Sequence, residues 1–265
     1  DILHYFSGPY REFFSAFLMK YEISDLILIM RNIVKGNDIS SIRVKFIHSE
    51  RLSSLPYEKL ISSRNIQQFI DNLKNTIYYN YLKTVTDNDV IKREFHTEMK
   101  LQALLYRTLL QRAKKLETPD MLAVNDIIGS IIDFLNIQWI YRAKKFYDIS
   151  PEEMLIYSLH GGKKLSFGKL KRLCYSKSTD EIKELSNKYL KYELFRDEND
   201  TDSEKKAVSF IYKYLNRIPQ KHTIGIAVSY IYMLDIVIKD LTTITEGIRY
   251  RLPEKQLKQY LVCSI

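Results

Sequence analysis

Apolar side chains recur every three or four positions between Asp89 and Leu116, and charged side chains fill the positions between them. This pattern predicts an amphipathic helix that buries one face. The apolar stripe consists of Val90, Phe95, Met99, Leu101, Leu104, Leu105, Leu109 and Leu116. The opposite side carries Lys92, Arg93, Glu98, Lys100, Arg107, Arg112 and Lys114. We interpret the stripe as a core face and not as a cofactor-binding surface.

A second helix is predicted from about Met121 towards Tyr147. Thr118-Pro119-Asp120 precedes it, where threonine can cap, proline suits the first turn and the acid favours the positive end of the helix dipole. Apolar residues lie on more than one side of this helix, so we expect it to pack centrally. These residues are Ile127, Ile128, Ile131, Ile132, Leu135, Ile137 and Ile140.

Ser150-Pro151-Glu152-Glu153 predicts another helix start, with Ser150 as the cap and Glu153 completing a capping box. Glu152 and Glu153 could also be taken for an acid/base pair. Adjacent positions on a helix point apart, however, so capping is the better interpretation. Pro56 and Pro219 are predicted to start or precede helices, whereas Arg43 to Ile47 alternates too briefly to predict a strand.

Composition strengthens the helical interpretation. The chain of 265 residues contains only 8 glycines and 6 prolines, so long uninterrupted elements are expected. Sheets and sandwiches normally need more turn residues, and the predicted class is therefore all-α. The two cysteines, Cys174 and Cys263, are too few for a disulfide framework and wrongly spaced for zinc, which favours a reducing cytoplasmic setting.

Charge leaves the kind of partner open. The net charge is +9, which suits an anionic partner such as nucleic acid but equally suits simple solubility. Five basic residues fall within ten positions and form a predicted basic segment: Lys163, Lys164, Lys169, Lys171 and Arg172. Asp197 to Glu204 is an acidic, turn-prone linker that precedes a final helical block from Ser203 to Val262. Either segment can also be a solvated connection.

No segment is long enough to span a bilayer, because the longest uncharged stretch, Thr223 to Leu234, is shorter than the roughly 20 residues required. The opening Asp1-Ile2-Leu3-His4 does not resemble a signal peptide and reads as the interior of a longer sequence. A membrane-associated role would therefore place the chain on the membrane and not within it.

The sequence contains no recognisable catalytic motif. The five histidines, at positions 4, 48, 96, 160 and 222, lack the spacing of metal ligands. His160-Gly161-Gly162-Lys163-Lys164 resembles a phosphate-binding loop only superficially, because a predicted helix precedes it and Leu165 follows the lysines. The two glycines are interpreted as the end of that helix. The expectation is a protein without an active site, cofactor or metal.

A sequence motif, which we call the phrase, recurs three times along the chain. Asp133 to Lys144 contains Asn136 and Arg142, and Tyr21 to Arg31 matches it with Asp25 and Arg31 in the same places. Asp235 to Tyr250 repeats the phrase with a small register slip that puts Asp240 at the position of Asn136. The anchors are 111 residues (25 to 136) and 104 residues (136 to 240) apart. This long period predicts three tandem helical domains.

These phrases resemble the C subunit of bacterial and archaeal V-type ATPases, which is similar to the d subunit of the eukaryotic enzyme. The resemblance rests on the Asp133 to Tyr147 helix, the turn at Leu159 to Leu165, the closing Glu246 to Pro253 stretch and the opening Gly8 to Arg31. Two departures are that the chain begins inside the first repeat, which implies a missing N-terminal portion, and that Glu246 stands where Arg142 and Arg31 do.

The resemblance implies three similar helical domains, at 1–85, 86–178 and 179–265, arranged as a funnel about a pseudo-threefold axis. It implies a non-catalytic part of the central stalk that couples the rotating shaft to the membrane ring during ion transport or ATP synthesis. The implied partners are central-shaft subunits of the D/F type and the proteolipid ring, with membrane contact only through the ring and no nucleic acid. The implied location is peripheral, at the cytoplasmic face.

Candidate contact or repeat-anchor residues are Asp25, Arg31, Asn136, Arg142, Asp240 and the five residues of the basic segment. The three polar anchors can also serve as caps or hydrogen-bonding groups inside each domain. An alternative function is a basic helical module that binds nucleic acid or acts as a scaffold, suggested by stretches such as Tyr78 to Lys83. An enzyme whose site is dispersed along the chain is the third possibility.

Overall fold

The computed structural model describes residues 2–36, 53–92, 94–147, 149–195, 203–217 and 223–263. Within these ranges the regular structure is helical and includes no strand, so the predicted all-α class is confirmed. A short 3-10 helix, Ile2–Tyr5, precedes α1 (Gly8–Lys35), α2 (Tyr57–Ile61), α3 (Ile66–Asp71), α4 (Tyr79–Leu82), α5 (Asp87–Lys92), α6 (Glu94–Ala113) and α7 (Thr118–Phe146). Next come α8 (Pro151–Tyr157), α9 (Phe167–Cys174), α10 (Thr179–Leu190), α11 (Ser203–Arg217), α12 (Gly225–Arg249) and α13 (Glu254–Lys258).

Three sequence predictions fall on residues outside these ranges. They are the brief alternation at Arg43 to Ile47, the helix start at Pro219 and most of the acidic linker, which begins at Asp197. Pro56, in contrast, lies within the described residues and immediately precedes α2, as predicted.

The chain forms two compact units, residues 1–116 and 117–265. In the first unit α1 packs most extensively against α6 and also contacts α3 and α5. Pro9 lies in the first turn of α1, where its missing N–H leaves no hydrogen bond unmade. The helix ends at Gly36, whose left-handed φ of 65° directs its N–H to the carbonyls of Asn32 and Ile33.

The predicted stripe between Asp89 and Leu116 is present as α5 and α6. Most of its apolar residues are buried, among them Met99, Leu101, Leu105 and Leu109. The hydrophobic periodicity therefore predicted both the helix and the face that it turns to the core.

The second unit is built around α7, which contacts α9, α10, α11 and α12. Six of the seven apolar residues that predicted central packing are buried, namely Ile127, Ile128, Ile131, Ile132, Ile137 and Ile140. Near its start, Asp120 accepts the backbone N–H of Ile224 at 2.8 Å and so satisfies a donor at the beginning of α12. Central packing of α7 is confirmed.

Of the following three predictions for helix ends, one is confirmed and two are wrong. Ser150 accepts the N–H of Glu153 at 3.2 Å, which confirms the predicted cap of α8. The prediction that Thr118 caps α7 was wrong, because Glu117 takes the capping position and Thr118 is already helical. The prediction that Gly161 and Gly162 end a helix was also wrong, since α8 ends at Tyr157, ahead of the turn that contains them.

The division into three domains at 1–85, 86–178 and 179–265, and their funnel arrangement, stay predictions.

Candidate functional site

A row of small and polar residues runs along one face of α7. Asp126, Gly129, Asp133 and Asn136 are spaced by three or four positions, and we call this row the polar seam. The turn from Leu159 to Leu165 lies against it and is bound by hydrogen bonds from each part of the row.

Asp133 binds the backbone of this turn. Its side chain is 1% exposed and accepts the N–H of Lys164 at 2.6 Å and the N–H of Leu165 at 3.0 Å. Burial raises the pKa of the Asp133 carboxyl, and the backbone N–H groups of Lys164 and Leu165 oppose that rise. Gly162 makes the approach possible, because a β-carbon there would collide with the carboxylate.

Asn136 binds the beginning of the same turn with both ends of its amide. Its Nδ2 donates to the carbonyl of Leu159 at 2.9 Å, and its Oδ1 accepts the N–H of Leu159 at 2.7 Å. The side chain is fully buried, so these two hydrogen bonds satisfy groups that water cannot reach.

Gly129 and Asp126 complete the polar seam. The carbonyl of Gly129 accepts the N–H of Lys163 at 3.2 Å, and a β-carbon on Gly129 would lie 3.1 Å from the carbonyl oxygen of Gly161. Asp126 forms an ion pair with the ammonium of Lys163 and accepts the hydroxyl of Tyr214 in α11. The polar seam therefore ties α7 to the turn along its whole length and to α11 at one end.

The predicted basic segment is largely engaged with the chain itself. Besides the pair of Lys163 with Asp126, the ammonium of Lys164 donates to the carbonyl of Leu190, and that of Lys169 donates to the carbonyl of Lys164 at 2.7 Å. The Lys171 ammonium lies 5.8 Å from the ring centre of Tyr175. Arg172 is exposed on α9. Whether this segment contacts a partner stays a prediction.

Asp240 repeats on α12 what Asp133 does on α7. It is 8% exposed and accepts the N–H groups of Val262, at 3.1 Å, and Cys263, at 2.7 Å. Further along α12, a β-carbon on Gly247 would lie 2.5 Å from the side chain of Leu257, so α13 packs closely on this helix. A long helix thus holds two consecutive N–H groups of the segment that follows it.

In α1 the acidic residues at the corresponding positions accept hydrogen bonds from side-chain hydroxyl groups and not from backbone N–H groups. Asp25 is 1% exposed and accepts the hydroxyl of Tyr57 at 3.0 Å. One turn earlier, Glu22 accepts the hydroxyls of Ser53 and Tyr78. Glu22 was not singled out from the sequence, although its position one turn before the anchor Asp25 matches that of Asp133 before Asn136.

These contacts revise the register of the third phrase. Asp240 acts as Asp133 does, which places it opposite Asp133 and Glu22 and not opposite Asn136. The spacings become 111 residues (22 to 133) and 107 residues (133 to 240). In this register Arg249 joins Arg31 and Arg142, so the apparent replacement by Glu246 disappears. All three arginines lie near the carboxyl ends of long helices, where a cation favours the helix dipole.

A second recurring detail follows the long helices. Ser63 donates to the carbonyl of Lys59 at 2.8 Å, and Ser176 donates to the carbonyl of Arg172 at 3.1 Å. Each serine precedes by two residues the cap of the next helix: Asn65 accepts the N–H of Gln68, and Ser178 that of Glu181. The α2–α3 and α9–α10 pairs are therefore built alike.

Three ionisable groups in the packed interior have raised pKa values. Burial is the first cause for Tyr57 and Tyr78, whose pKa values are both raised, and it raises the pKa of Cys174 to about 11. Such shifts arise in structural networks as well as in active sites. In the described part of the chain, no three His, Cys, Asp or Glu side chains are placed to share a metal ion.

The fold and these contacts define an all-helical protein whose long helices hold the segments that follow them, largely through backbone groups. The family of ATP synthase (C/AC39) subunits matches residues 1–260, and the chain belongs to this family. The resemblance inferred from the sequence is thereby confirmed.

Two curated relatives are each named as the C subunit of an A-type ATP synthase. The protein from Methanosarcina mazei is 22% identical over 176 residues, which cover 66% of this chain and 48% of that protein. The one from Methanosarcina acetivorans is 24% identical over 182 residues, covering 69% of this chain and 49% of that protein. The chain thus spans about half the length of the curated relatives it matches. Among the described residues, no helix is long and apolar enough to cross a membrane.

Proposed function

We propose that this chain is a non-catalytic part of a rotary ATP synthase or ATPase, which couples the rotating central shaft to the proteolipid ring of the membrane. The observation that carries the proposal is the family match over residues 1–260. The relatives' name, as the C subunit of an A-type ATP synthase, supports the same assignment. No cofactor is required for this role.

A part that passes torque between two bodies has to resist deformation, and the second unit has features that suit this task. Its central helix α7 is packed on several sides, and the turn from Leu159 to Leu165 is fixed to it by buried hydrogen bonds. Close-packed interiors transmit strain because they have low compressibility. Fully satisfied buried polar contacts add further rigidity.

The proposed partners are central-shaft subunits of the D/F type and the proteolipid ring, on the cytoplasmic face of the membrane. The proposed candidate contacts include the basic segment, in which Arg172 and Lys171 are exposed on α9. The proposed internal symmetry of three similar domains would suit a part that seats a shaft.

Reconstitution tests this role. Vesicles containing the ring, the shaft and the ATP-hydrolysing head should pump ions only when this chain is added, whereas ATP hydrolysis should continue without it. The chain should also co-purify with the shaft and with the ring. Heat-denatured chain serves as the control. Failure to associate with either partner, or equal pumping without the chain, would contradict the proposal.

The structure does not favour the alternative function, nucleic-acid binding. Phosphate binding uses exposed lysine and arginine side chains, and it weakens steeply with salt. Lys163, Lys164 and Lys169 are instead engaged with acceptors of the chain itself. We expect no salt-sensitive binding to single- or double-stranded oligonucleotides in a titration between low and physiological salt.

A further inference from the structure

One face of α12 is apolar and exposed. Its residues are spaced by four, three, four and seven positions, which places them on a single stripe of the helix. We call this stripe the bare face; it consists of Tyr230 (58% exposed), Leu234 (42%), Val237 (37%), Leu241 (56%) and Ile248 (68%).

The opposite face of α12 is already buried. Val228 and Ile236 lie there, and each is less than a tenth exposed. A helix that is apolar on two opposite sides is characteristic of an element with neighbours on both. A contiguous apolar patch of this length on a soluble protein indicates an interaction site.

The first long helix shows what covers the equivalent positions. In the register set by Glu22, Asp133 and Asp240, the bare face corresponds to the stripe on α1 that contains Ala16, Met19, Ile23 and Met30, all of them buried. The helix that packs most extensively on α1 is α6. Glu12, which corresponds to Tyr230, contacts Lys115 just beyond the end of α6, at 2.9 Å.

The second long helix repeats the arrangement with α11. The equivalent stripe on α7 includes Ile127, Phe134 and Tyr141, which are buried. The ring of Phe134 lies 4.9 Å from that of Phe210 in α11, and the ring of Tyr141 lies 5.0 Å from that of Phe195. The stripe of α7 is therefore covered by α11 and by the segment just before it.

The two covering helices are themselves alike. Leu104-Leu105-Tyr106-Arg107 in α6 matches Phe210-Ile211-Tyr212-Lys213 in α11 at a spacing of 106 residues. Leu109 and Leu215, each two residues beyond the end of its stretch, are 1% and 3% exposed. Each long helix thus carries a stripe that suits an amphipathic helix with aliphatic and aromatic residues on one side and basic residues on the other.

We propose that the bare face of α12 binds an amphipathic helix of the α6 and α11 type, supplied by a polypeptide segment outside these 265 residues. The equivalent stripes on α1 and α7 are covered by other parts of the chain. The stripe on α12 is the third stripe of this kind, and it is exposed. This inference rests on the internal register and not on the proposed rotor role. A second copy of the chain or a lipid surface would be a different occupant, and the test separates them.

The experiment titrates the chain with fluorescent peptides of the α6 sequence, Glu94–Ala113, and of the α11 sequence, Ser203–Arg217. Scrambled peptides of the same composition are the controls. We expect each native peptide to bind at least tenfold more tightly than its scrambled form. The peptides should also gain helical circular dichroism on binding, because short isolated helices are marginal in water.

Two neighbouring substitutions locate the site. Leu241→Lys places a charge in the bare face, whereas Thr242→Lys places the same charge beside it, and both positions are exposed, so the fold should survive. Leu241→Lys should weaken peptide binding at least tenfold, and Thr242→Lys less than twofold. Circular dichroism and thermal unfolding of both variants check that the fold is intact.

Four results of the peptide and sedimentation experiments would overturn the proposal. They are the absence of peptide binding, equal binding of scrambled peptides, equal effects of the two substitutions, and a dimer in sedimentation analysis that Leu241→Lys abolishes. Binding of the chain to neutral phosphatidylcholine vesicles that Leu241→Lys abolishes would also overturn it, because the bare face would then be a lipid contact. Failure of the reconstitution with shaft and ring leaves this result unaffected.

Discussion

Single side chains on the long helices recognise backbone groups. Asp133 accepts two consecutive N–H groups, and Asn136 binds both the N–H and the carbonyl of Leu159. Hydrogen bonds to a charged acceptor contribute about 1.5–3 kcal/mol, and an unsatisfied buried donor costs a similar amount. Stability of the second unit therefore depends on a few polar residues as well as on its apolar core.

Gly162→Ala should lower the free energy of unfolding by about 2–3 kcal/mol, because its β-carbon would displace the carboxylate of Asp133 from the two N–H groups. Gly168→Ala is the matched control, since nothing lies within 4 Å of its added carbon. It should leave stability unchanged or raise it by up to about 1 kcal/mol, as alanine favours a helix. Urea unfolding followed by circular dichroism compares them, and equal losses would contradict the assigned role of Gly162.

The sequence alone pointed to Asn136 and Asp240, but not to what they bind. Polar residues that recur inside apolar helices are visible as a pattern, whereas their partners lie 22 or more residues away along the chain. The contact between Asp133 and Gly162 could not be predicted for the same reason, since only the folded turn brings the two residues together. The pair Gly161-Gly162 indicated a special backbone position. Glycine is favoured both where a turn approaches a helix closely and where a helix ends, so the sequence did not distinguish the two.

At the scale of elements, apolar periodicity predicted α6 and α7 well, because each buries a continuous stripe or several sides. Caps were less certain: Ser150 was placed correctly, but Thr118 lies one position too late to cap α7. Helix ends depend on one or two hydrogen bonds, so neighbouring residues compete closely for the capping position. The third phrase slipped in register because Thr243 replaces the asparagine found at 136.

Asp240→Ala should release the segment that α12 holds, and the thiol of Cys263 reports this. Burial, and then Asp240, raises the pKa of Cys263, so the substitution should lower that pKa and expose the thiol. We expect modification of Cys263 by a thiol reagent at pH 8 to accelerate, because a lower pKa increases the thiolate fraction and the released segment exposes the sulfur. Cys174 is fully buried and is the internal control, which should react only on unfolding. An unchanged rate at Cys263 would show that Asp240 does not hold the segment.

On the scale of the whole molecule, family membership was predictable and the spatial arrangement was not. The phrases span nearly the whole chain, as does the family match at residues 1–260. The compact units divide at Leu116, a boundary that no change in composition marks. The reason is physical: α6 lies beyond the predicted domain boundary at residue 85 but packs on α1, and only tertiary contacts reveal this.

Hydrogen exchange should follow this distribution of packing. Amides of α7 should exchange slowest in the second unit, because the helix is contacted by four others. Amides of α13 should exchange fastest, as that helix has no buried residue. Mass spectrometry of peptides after graded exposure to heavy water measures both. Equal protection of α7 and α13 would contradict the assignment of α7 as the centre of the unit.

Recognition of backbone groups by Asp133 and Asn136 also bears on how this family can diverge. Every residue except proline offers the same N–H, so exchange of the His160 side chain would leave the backbone hydrogen bonds of the turn in place, whereas exchange of Lys163 would also remove its ion pair with Asp126. The position of the turn therefore depends on a short list of helix residues, on Gly162 and on the Lys163 ammonium. Relatives that share 22–24% identity with this chain can keep the same scaffold and present different surfaces on it.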